Sequence, residues 1–425
     1  MAIRNEVVVI GGGLAGLTAA LAAAREGADV RLVSAKQSTL AQASGLVDVL
    51  GYAPDGTGPL SDPFEALSDL PDEHPYSTVG EDALRDGLAL FDDVTGDRYC
   101  GGHTTRNALV PTFGGAVKPT ARYPRSSAAG LASDDRSALL VGFPRLVDFD
   151  APLAAEHLAA ARVPFDVRGV TVEFPVALDP DAKVTRFANL LDRDREVETD
   201  DGETGVREAL AAAVGPHLDG VERVGFPAIL GDDHADAVRA DLEAHLGVPV
   251  FVVPMGPPSL PGLRLEDLFI DALESAGANV TTGNPVVDYE AADGAIEAVY
   301  VEKNGQRTPY HAEQFVLATG GLVGKGIDSD REGVYEPVFG CHVPHPDDRY
   351  DWSDEAAFGE HALARFGVTV DDDLRPQTSG GEPEFDNLRA AGSVLGGYDF
   401  AAEKSGSGVS LATGVVAGTR TAEAV

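Results

Sequence analysis

The feature that most constrains the fold is a glycine fingerprint near the start of the chain. Residues 11–16 have the pattern G-x-G-x-x-G, a β-branched run at 6–10 precedes them, and an alanine-rich stretch at 14–26 follows. Residues 30–33 then supply a second apolar strand. In such a βαβ unit the glycines permit a tight turn, a close phosphate and close helix packing. The sequence therefore predicts a Rossmann-like unit that binds a nucleotide or a flavin.

One expected element of this unit is missing. The second strand usually ends in Asp or Glu, which binds an adenosine ribose hydroxyl. Here that position is Ser34, and Ala35 and Lys36 follow it. The absence is informative because the chain has 69 Asp and Glu against 32 Lys and Arg. It favours FMN as the cofactor, with an atypically held FAD as the alternative.

Three later small-residue segments are typical of flavin-binding loops. Residues 38–45 could contact the flavin ring or could merely connect two elements. A buried strand at 315–318 ends in T-G-G, where the carboxyl ends of parallel strands bind ligands. The loop at 392–397 precedes a helix start at 406–408, whose free N–H groups would stabilise negative charge. The predicted cofactor-binding residues are Gly11, Gly12, Gly13, Leu14, Ala15, Gly16, Ser34, Lys36, Ser44, Gly45, Thr319, Gly320, Gly321, Gly392, Ser393, Gly396, Gly397, Ser407, Gly408 and Val409.

These elements together predict an α/β, two-dinucleotide-binding-domain flavoprotein with an inserted α/β cap domain. Within the cap we predict a strand at 171–174, and after it a proline-rich re-entry loop at 253–264 that leads to a helix at 265–276. The predicted boundaries are 1–80 and 256–330 for the first two parts of the flavin-binding domain, 81–255 for the cap, 331–380 for a cap or interface segment, and 381–425 for the last strand and helix.

An acid-free segment extends from 98 to 133 and carries Lys118, Arg122 and Arg125. One explanation is burial, because the segment is rich in Gly, Pro and aromatic residues. The other is an electropositive wall that attracts an anionic substrate, a flavin phosphate or an acidic partner. Both explanations remain open at the level of sequence.

The net charge of −37 limits the classes of partner. A surface this negative repels nucleic-acid phosphates and anionic lipid headgroups. Only six of the 32 basic residues are lysines. This composition is typical of a cytosol of molar salt, where the screening length is about 3 Å. We therefore expect a halophilic protein that binds no nucleic acid.

The number of cysteines and the hydropathy of the chain indicate the cellular compartment of the protein. Cys100 and Cys341 are too few to hold an iron–sulfur cluster, so any such cluster would belong to a partner chain. The chain enters a strand directly after its start, and no stretch approaches the 18 or so apolar residues of a membrane span. We expect a cytoplasmic protein that meets a membrane only through partners.

Several stretches go beyond a general flavoprotein fingerprint. They are VVVIGGGLAGLTAAL, QASGLVDVL, GFPRLVDF, PPSLPGLRL, VLATGG and NLRAAGSVLGGYDFAAEKSGSGVSLATG. With them the chain resembles the B subunits of anaerobic, quinone-linked glycerol-3-phosphate dehydrogenase. The resemblance implies a complex that oxidises glycerol 3-phosphate to dihydroxyacetone phosphate in glycerol catabolism. It further implies an FAD-bearing A subunit, an iron–sulfur C subunit at the membrane, and FMN on the B subunit.

Oxidation of an alcohol needs a base for the hydroxyl proton and cations for the phosphate. The candidate catalytic residues are His103, Arg264 and Lys325. The spacing of the cysteine, histidines and acid at 341–347 fits no standard metal site. Two other classes remain open. One is a self-sufficient FAD-dependent dehydrogenase of the fumarate reductase and succinate dehydrogenase type, and the other is a flavin-free scaffold.

Overall fold

The computed structural model describes residues 3–36, 38–180, 182–199, 202–257, 259–357 and 359–425. Its strands, numbered in chain order, are β1 Ile3–Arg4, β2 Val7–Ile10, β3 Val30–Ser34, β4 Tyr99–Cys100, β5 Ala108–Pro111, β6 Val117–Thr120, β7 Tyr123–Pro124, β8 Ala138–Gly142, β9 Val167–Thr171, β10 Glu196–Thr199, β11 Gly202–Gly205, β12 Arg223–Pro227, β13 Val250–Val253, β14 Asn279–Thr282, β15 Val286–Ala292, β16 Ala295–Lys303, β17 Gln306–His311, β18 Gln314–Leu317, β19 Asp328–Ser329, β20 Val334–Tyr335 and β21 Leu388–Ala390. Its helices are α1 Leu14–Arg25, α2 Pro75–Thr95, α3 Ala151–Ala160, α4 Val184–Asp192, α5 Val206–Val214, α6 Ala235–Leu246, α7 Leu260–Ser275, α8 Phe400–Glu403 and α9 Gly406–Ala422.

The chain forms two units. The first contains Met1–Thr39, Asp48–Thr95 and Glu266–Val425, and the second contains Leu40–Val47 and Gly96–Leu265. Among the described residues, no helix has the length and apolar character needed to span a membrane.

The first unit is built on a five-stranded parallel sheet with the order β14-β3-β2-β18-β21. Val7, Val8 and Val9 of the central strand β2 have no exposed surface, as expected of a parallel strand covered on both faces. The predicted βαβ unit is thus confirmed, with α1 between β2 and β3. A second sheet in this unit, β1-β17-β16-β15, contains two antiparallel pairs, β15 with β16 and β16 with β17.

Small residues bring α1 and α9 close together. A Cβ atom at Gly414 would lie 2.8 Å from the carbonyl oxygen of Ala15, and one at Gly418 would lie 2.2 Å from that of Ala19. Such distances require glycine, because a real Cβ essentially never approaches backbone this closely. The two helices therefore pack backbone against backbone, with the glycine loop at the N-terminal end of α1.

The second unit has its own parallel sheet, with the order β13-β12-β8-β9. The strand predicted at 171–174 is wrong, because β9 ends at Thr171, and strands β8 and β12 were not predicted. β12 begins with Arg223, a charged residue that masks the apolar pattern of a buried strand. The predicted α/β character of this part of the chain is confirmed.

The structure divides the chain at other places than the sequence suggested. The helical segment α2, interrupted at Gly80, belongs to the first unit, so the second unit resumes at Gly96 rather than at residue 81. Residues 331–380 also belong to the first unit and not to a cap.

Helix α7 begins at Leu260, inside the predicted loop. The Ser259 hydroxyl accepts the Gly262 N–H (3.4 Å), and a proline is tolerated in a first turn. Pro258 of the PPSLPGLRL stretch lies outside the described residues.

Candidate cofactor site

The glycine loop between β2 and α1 has no room for side chains. Gly11 has φ +118°, and a Cβ atom there would lie 2.1 Å from the carbonyl oxygen of Ala318, at the end of β18. A Cβ atom at Gly12 would lie 2.8 Å from Oγ of Ser34. The loop must therefore be bare backbone, which lets a phosphate approach the N–H groups closely.

The N-terminal end of α1 is open to an anion. Gly13 is the N-cap and makes no side-chain cap, and the first turn contains no acidic residue. The first intrahelical bond runs from the Leu17 N–H to the Gly13 carbonyl (2.9 Å). The N–H groups of residues 14–16 precede that bond and lie at the positive end of the helix dipole. Together these groups fit the phosphate of a flavin nucleotide.

Two further predicted loops meet the same end of the sheet. The Gly321 N–H donates to Oγ of Ser393 (3.2 Å), and a Cβ atom at Gly392 would lie 2.5 Å from Cβ of Ala15. Oγ1 of Thr319 is buried and has no hydrogen-bond partner in the described part of the chain. A bound ligand or a water would satisfy this buried hydroxyl. Residues 11–16, 319–321 and 392–393 are thus brought together as predicted.

Ser34 occupies the position where a carboxylate would bind ribose. Its side chain is buried, and its hydroxyl donates to the carbonyl oxygen of Lys36 (2.6 Å). Lys36 is exposed, and so is Thr39, whose Oγ1 would lie 3.4 Å from a Cβ atom at Gly13. Thr39 was not among the predicted residues, because its contact depends on how the loop after β3 folds back.

Some predicted loop residues have other partners. The Gly396 N–H donates to the Val368 carbonyl (3.0 Å), and the Gly397 N–H donates to the Arg365 carbonyl (3.1 Å). A Cβ atom at Gly397 would also lie 2.3 Å from the carbonyl oxygen of Glu73. Backbone packing thus uses the N–H groups of both glycines, and the cofactor contact expected of these two residues stays a prediction.

The start of α9 is likewise filled by the protein. The Ser407 N–H donates to Oδ1 of Asp48 (2.9 Å), and the Gly408 N–H donates to the carbonyl of Asp48 (2.7 Å). The Val409 N–H already belongs to the helix and donates to the Ser405 carbonyl. The prediction of free N–H groups at the start of this helix is therefore wrong for these three residues.

A buried polar cluster next to the start of α9 was missed in the sequence. His74, with no exposed surface, accepts the Tyr76 N–H at Nδ1 (3.0 Å), so Nε2 carries the proton and donates to Glu403 (3.1 Å). The Tyr398 hydroxyl is buried without a hydrogen-bond partner among the described residues, and burial raises its pKa. Single, widely separated residues of this kind leave no spacing signal in a sequence.

Ser44 and Gly45 belong to the second unit. Gly45 has φ +78°, and a Cβ atom there would lie 2.6 Å from Cβ of Pro261 and 3.3 Å from the Tyr99 hydroxyl oxygen. Oγ of Ser44 accepts the Leu46 N–H (3.4 Å). Within its own unit this loop is thus fixed against the start of α7 and against Tyr99.

The cations of the acid-free segment do not form one exposed wall. Arg122 is buried and donates to the Ala121 carbonyl (3.1 Å), and Lys118 is half-buried in β6. Arg125 donates to the carbonyl of Asp97 and lies 3.6 Å from its carboxylate. The electropositive wall is therefore wrong for Arg122, which burial explains. Arg125 is exposed, so for this residue the wall stays a prediction.

None of the weak catalytic candidates is held as a base. His103 is exposed in the turn after β4, and Lys325, with φ +63°, is exposed in the loop after β18. Arg264 donates to the Gly231 carbonyl and lies 3.8 Å from Asp232, and burial lowers the pKa of its guanidinium. The described part of the chain holds no group of three or more His, Cys, Asp or Glu residues that could bind a metal.

Comparison with known proteins identifies the group to which the chain belongs. Residues 6–409 match a family described as FAD binding domain. The B subunit of a probable anaerobic glycerol-3-phosphate dehydrogenase from Halobacterium salinarum is 63% identical over 100% of this chain and 99% of its own length. The B subunit of an anaerobic glycerol-3-phosphate dehydrogenase from Yersinia pseudotuberculosis is 32% identical over 97% of both chains. The chain belongs to the family of anaerobic glycerol-3-phosphate dehydrogenase B subunits.

Membership of the B-subunit family confirms the predicted flavoprotein class and places the chain among the flavin-dependent oxidoreductases. Among solved structures, the chain matches a 3-ketosteroid Δ1-dehydrogenase from Sterolibacterium denitrificans, 11% identical over 99% of this chain and 100% of that one, with a TM-score of 0.45. A flavocytochrome c3 fumarate reductase is 12% identical over 99% of this chain and 78% of its own, with a TM-score of 0.43.

Proposed function

We propose that this chain is the redox subunit of a glycerol-3-phosphate dehydrogenase complex and that its flavin is FMN. The complex would oxidise glycerol 3-phosphate to dihydroxyacetone phosphate, and the two electrons would pass through an iron–sulfur partner subunit to quinone. The family membership and the names of the relatives support the reaction. The scarcity of cysteine supports a separate cluster-bearing chain.

The end of β3 supports FMN. From residue 34 to residue 47 the chain has no carboxylate, and the Ser34 hydroxyl is already donated to the Lys36 carbonyl. An adenosine ribose would therefore lack its usual acidic acceptor, whereas FMN ends at the phosphate. Because the matching family is described as FAD binding, FAD is the rival outcome of a cofactor analysis.

A bound flavin supplies the hydride acceptor for alcohol oxidation. Three parts of this chain would hold it: the N-terminal end of α1 would neutralise the phosphate, and the loops at 319–321 and 392–393 would close the site around it. Since His103, Arg264 and Lys325 are exposed or bonded elsewhere, we assign no base to this chain. The proposal gives substrate oxidation to the FAD-bearing A subunit and electron relay to this one.

The deciding experiment is cofactor extraction from the full chain purified in molar KCl, with the released flavin identified by chromatography. Flavin reduction by glycerol 3-phosphate is then compared for the isolated chain and for the chain co-expressed with its A and C partners. FMN that is reduced only in the complex supports the proposal. FAD reduced in the isolated chain supports the self-sufficient dehydrogenase instead, and a colourless protein supports a scaffold.

A further inference from the structure

We infer that Lys36 selects the cofactor by binding a terminal phosphate, so that the turn at 34–36 favours a flavin mononucleotide over one extended by adenosine. This inference rests on the proposed FMN-bearing function. It assigns a specificity role to one side chain, and it concerns binding rather than turnover.

The turn lies directly on the glycine loop. A Cβ atom at Gly12 would be 2.8 Å from Oγ of Ser34 and 2.9 Å from its Cβ, so the Ser34 side chain lies against the backbone of Gly12. The Ser34 hydroxyl then donates to the Lys36 carbonyl (2.6 Å), which fixes the course of the chain after β3. Lys36 therefore leaves the sheet at the edge of the loop that receives the phosphate.

The groups around this loop have the chemistry of a phosphate site. The hydroxyl of Thr39 lies beside Gly13, the first turn of α1 has no acidic residue, and no ion pair of Lys36 occurs within the described ranges. Lysine is scarce here, since only six of 425 residues are lysine. Lys36 lies in a stretch without acidic residues, in a chain of net charge −37. Its positive charge is therefore a specific feature of the loop that follows β3.

The two cofactors differ in where their negative charge lies, because FMN ends in a single phosphate monoester whereas the diphosphate of FAD is bridged to adenosine. A phosphate monoester carries about 1.5 to 2 negative charges at neutral pH, and a helix N-terminus supplies only about half a positive charge. A terminal phosphate thus needs an additional cation, which Lys36 can provide. In dinucleotide-binding folds a basic residue near this position accommodates a phosphate on the ribose, whereas an acid accepts the ribose hydroxyl. Ser34 followed by Lys36 accordingly favours phosphate over a sugar hydroxyl.

The test titrates the full-length apoprotein with FMN, FAD and riboflavin at one fixed KCl concentration, and follows flavin fluorescence. Lys36→Gln should weaken FMN binding about tenfold, because it removes one charge-assisted contact. The affinity for riboflavin should be unchanged, because riboflavin has no phosphate. Lys36→Arg should retain FMN affinity. Lys303→Gln, an exposed lysine in the β16–β17 hairpin, is the matched control and should bind all three as the parent does. Ser34→Glu should shift the FMN-to-FAD affinity ratio towards FAD.

The outcomes separate the inference from the function on which it rests. If the parent chain prefers FMN and Lys36→Gln keeps the parent's ratio of FMN to riboflavin affinity, the inference is overturned and the proposed function stands. If the parent chain prefers FAD, both fail. Thermal unfolding of each variant at the same KCl concentration distinguishes a lost contact from a lost fold.

Discussion

Oδ1 of Asp48 accepts the backbone N–H of Ser407 at 2.9 Å, and the Asp48 side chain is buried. The chain thus supplies its own anion to the N-terminal end of α9. The corresponding end of α1 has no side-chain cap. Both helices follow glycine-rich loops and look equivalent in sequence, yet the protein closes one end and leaves the other without a side-chain cap.

Asp48→Ala should lower the free energy of unfolding by about 1–2 kcal/mol, because it leaves the Ser407 N–H without its acceptor. Asp48→Asn keeps an acceptor oxygen, so its free energy of unfolding should fall by less. Denaturant unfolding at fixed KCl measures both. Asp150→Ala, which removes the exposed cap of α3, is the control for an ordinary cap. Unchanged stability of Asp48→Ala would show that the bond to Ser407 contributes nothing.

Gly11→Ala should abolish flavin retention, because the new methyl group would lie 2.1 Å from the Ala318 carbonyl oxygen. Gly27→Ala is a matched control: Gly27 also has positive φ, at +99°, but nothing lies within 4 Å of its Cβ position. The control should lose about 1 kcal/mol of stability and keep its flavin. The ratio of flavin to protein absorbance after purification reports the difference. Equal flavin content in the two variants would contradict the close contact between the glycine loop and β18.

Arg223→Met should destabilise the protein by about 3–5 kcal/mol. Arg223 has no exposed surface, and its guanidinium donates to four backbone carbonyls, those of Ala129, Leu131, Asp134 and Arg136. Removal leaves these buried acceptors without donors. Arg25→Met, which breaks the exposed pair with Asp93, should cost less than about 1 kcal/mol. Similar unfolding midpoints for the two variants would refute the structural role of Arg223.

The pair of Asp134 and Arg136 should make stability depend on pH only in strong acid. Hydrogen bonds from the Arg136 guanidinium lower the pKa of Asp134 to about 2, from an ordinary value of 3.8. A lowered pKa means that folding favours the ionised carboxylate, so its contribution is complete above the ordinary value and is lost as the pH falls towards 2. The stability difference between the parent and Asp134→Asn should therefore be constant near neutral pH and shrink in acid. A difference that already shrinks between pH 7 and pH 5 would contradict this.

Local patterns predicted the sheet of the first unit well. β2, α1 and β3 follow from a β-branched run, an alanine-rich stretch and three glycines, because each element carries its own signal. β12 was missed because Arg223 opens it, and only the fold shows that backbone carbonyls satisfy this arginine. The start of α7 was missed because prolines suggested a loop, although Ser259 caps the helix.

The composition of the predicted cofactor loops identified them in the sequence. It did not predict which groups their N–H groups bond to. Residues 11–16 and 319–321 face each other because they end neighbouring parallel strands, a relation that topology rules supply. Gly396 and Gly397 have the same composition, yet their N–H groups bond to the backbone at residues 365 and 368. A glycine needed for ligand approach and one needed for backbone packing look alike in a sequence.

The discontinuous first unit also sets an order of events during synthesis. β2 and β3 leave the ribosome early, but β18, which completes the wall of the glycine loop, follows only after Gly96–Leu265 of the second unit. The second unit can finish folding while the central strand β2 of the first still lacks its neighbour β18. Because the loop at 319–321 and then that at 392–393 arrive so late, the proposed cofactor site is complete only in a chain whose translation is nearly finished.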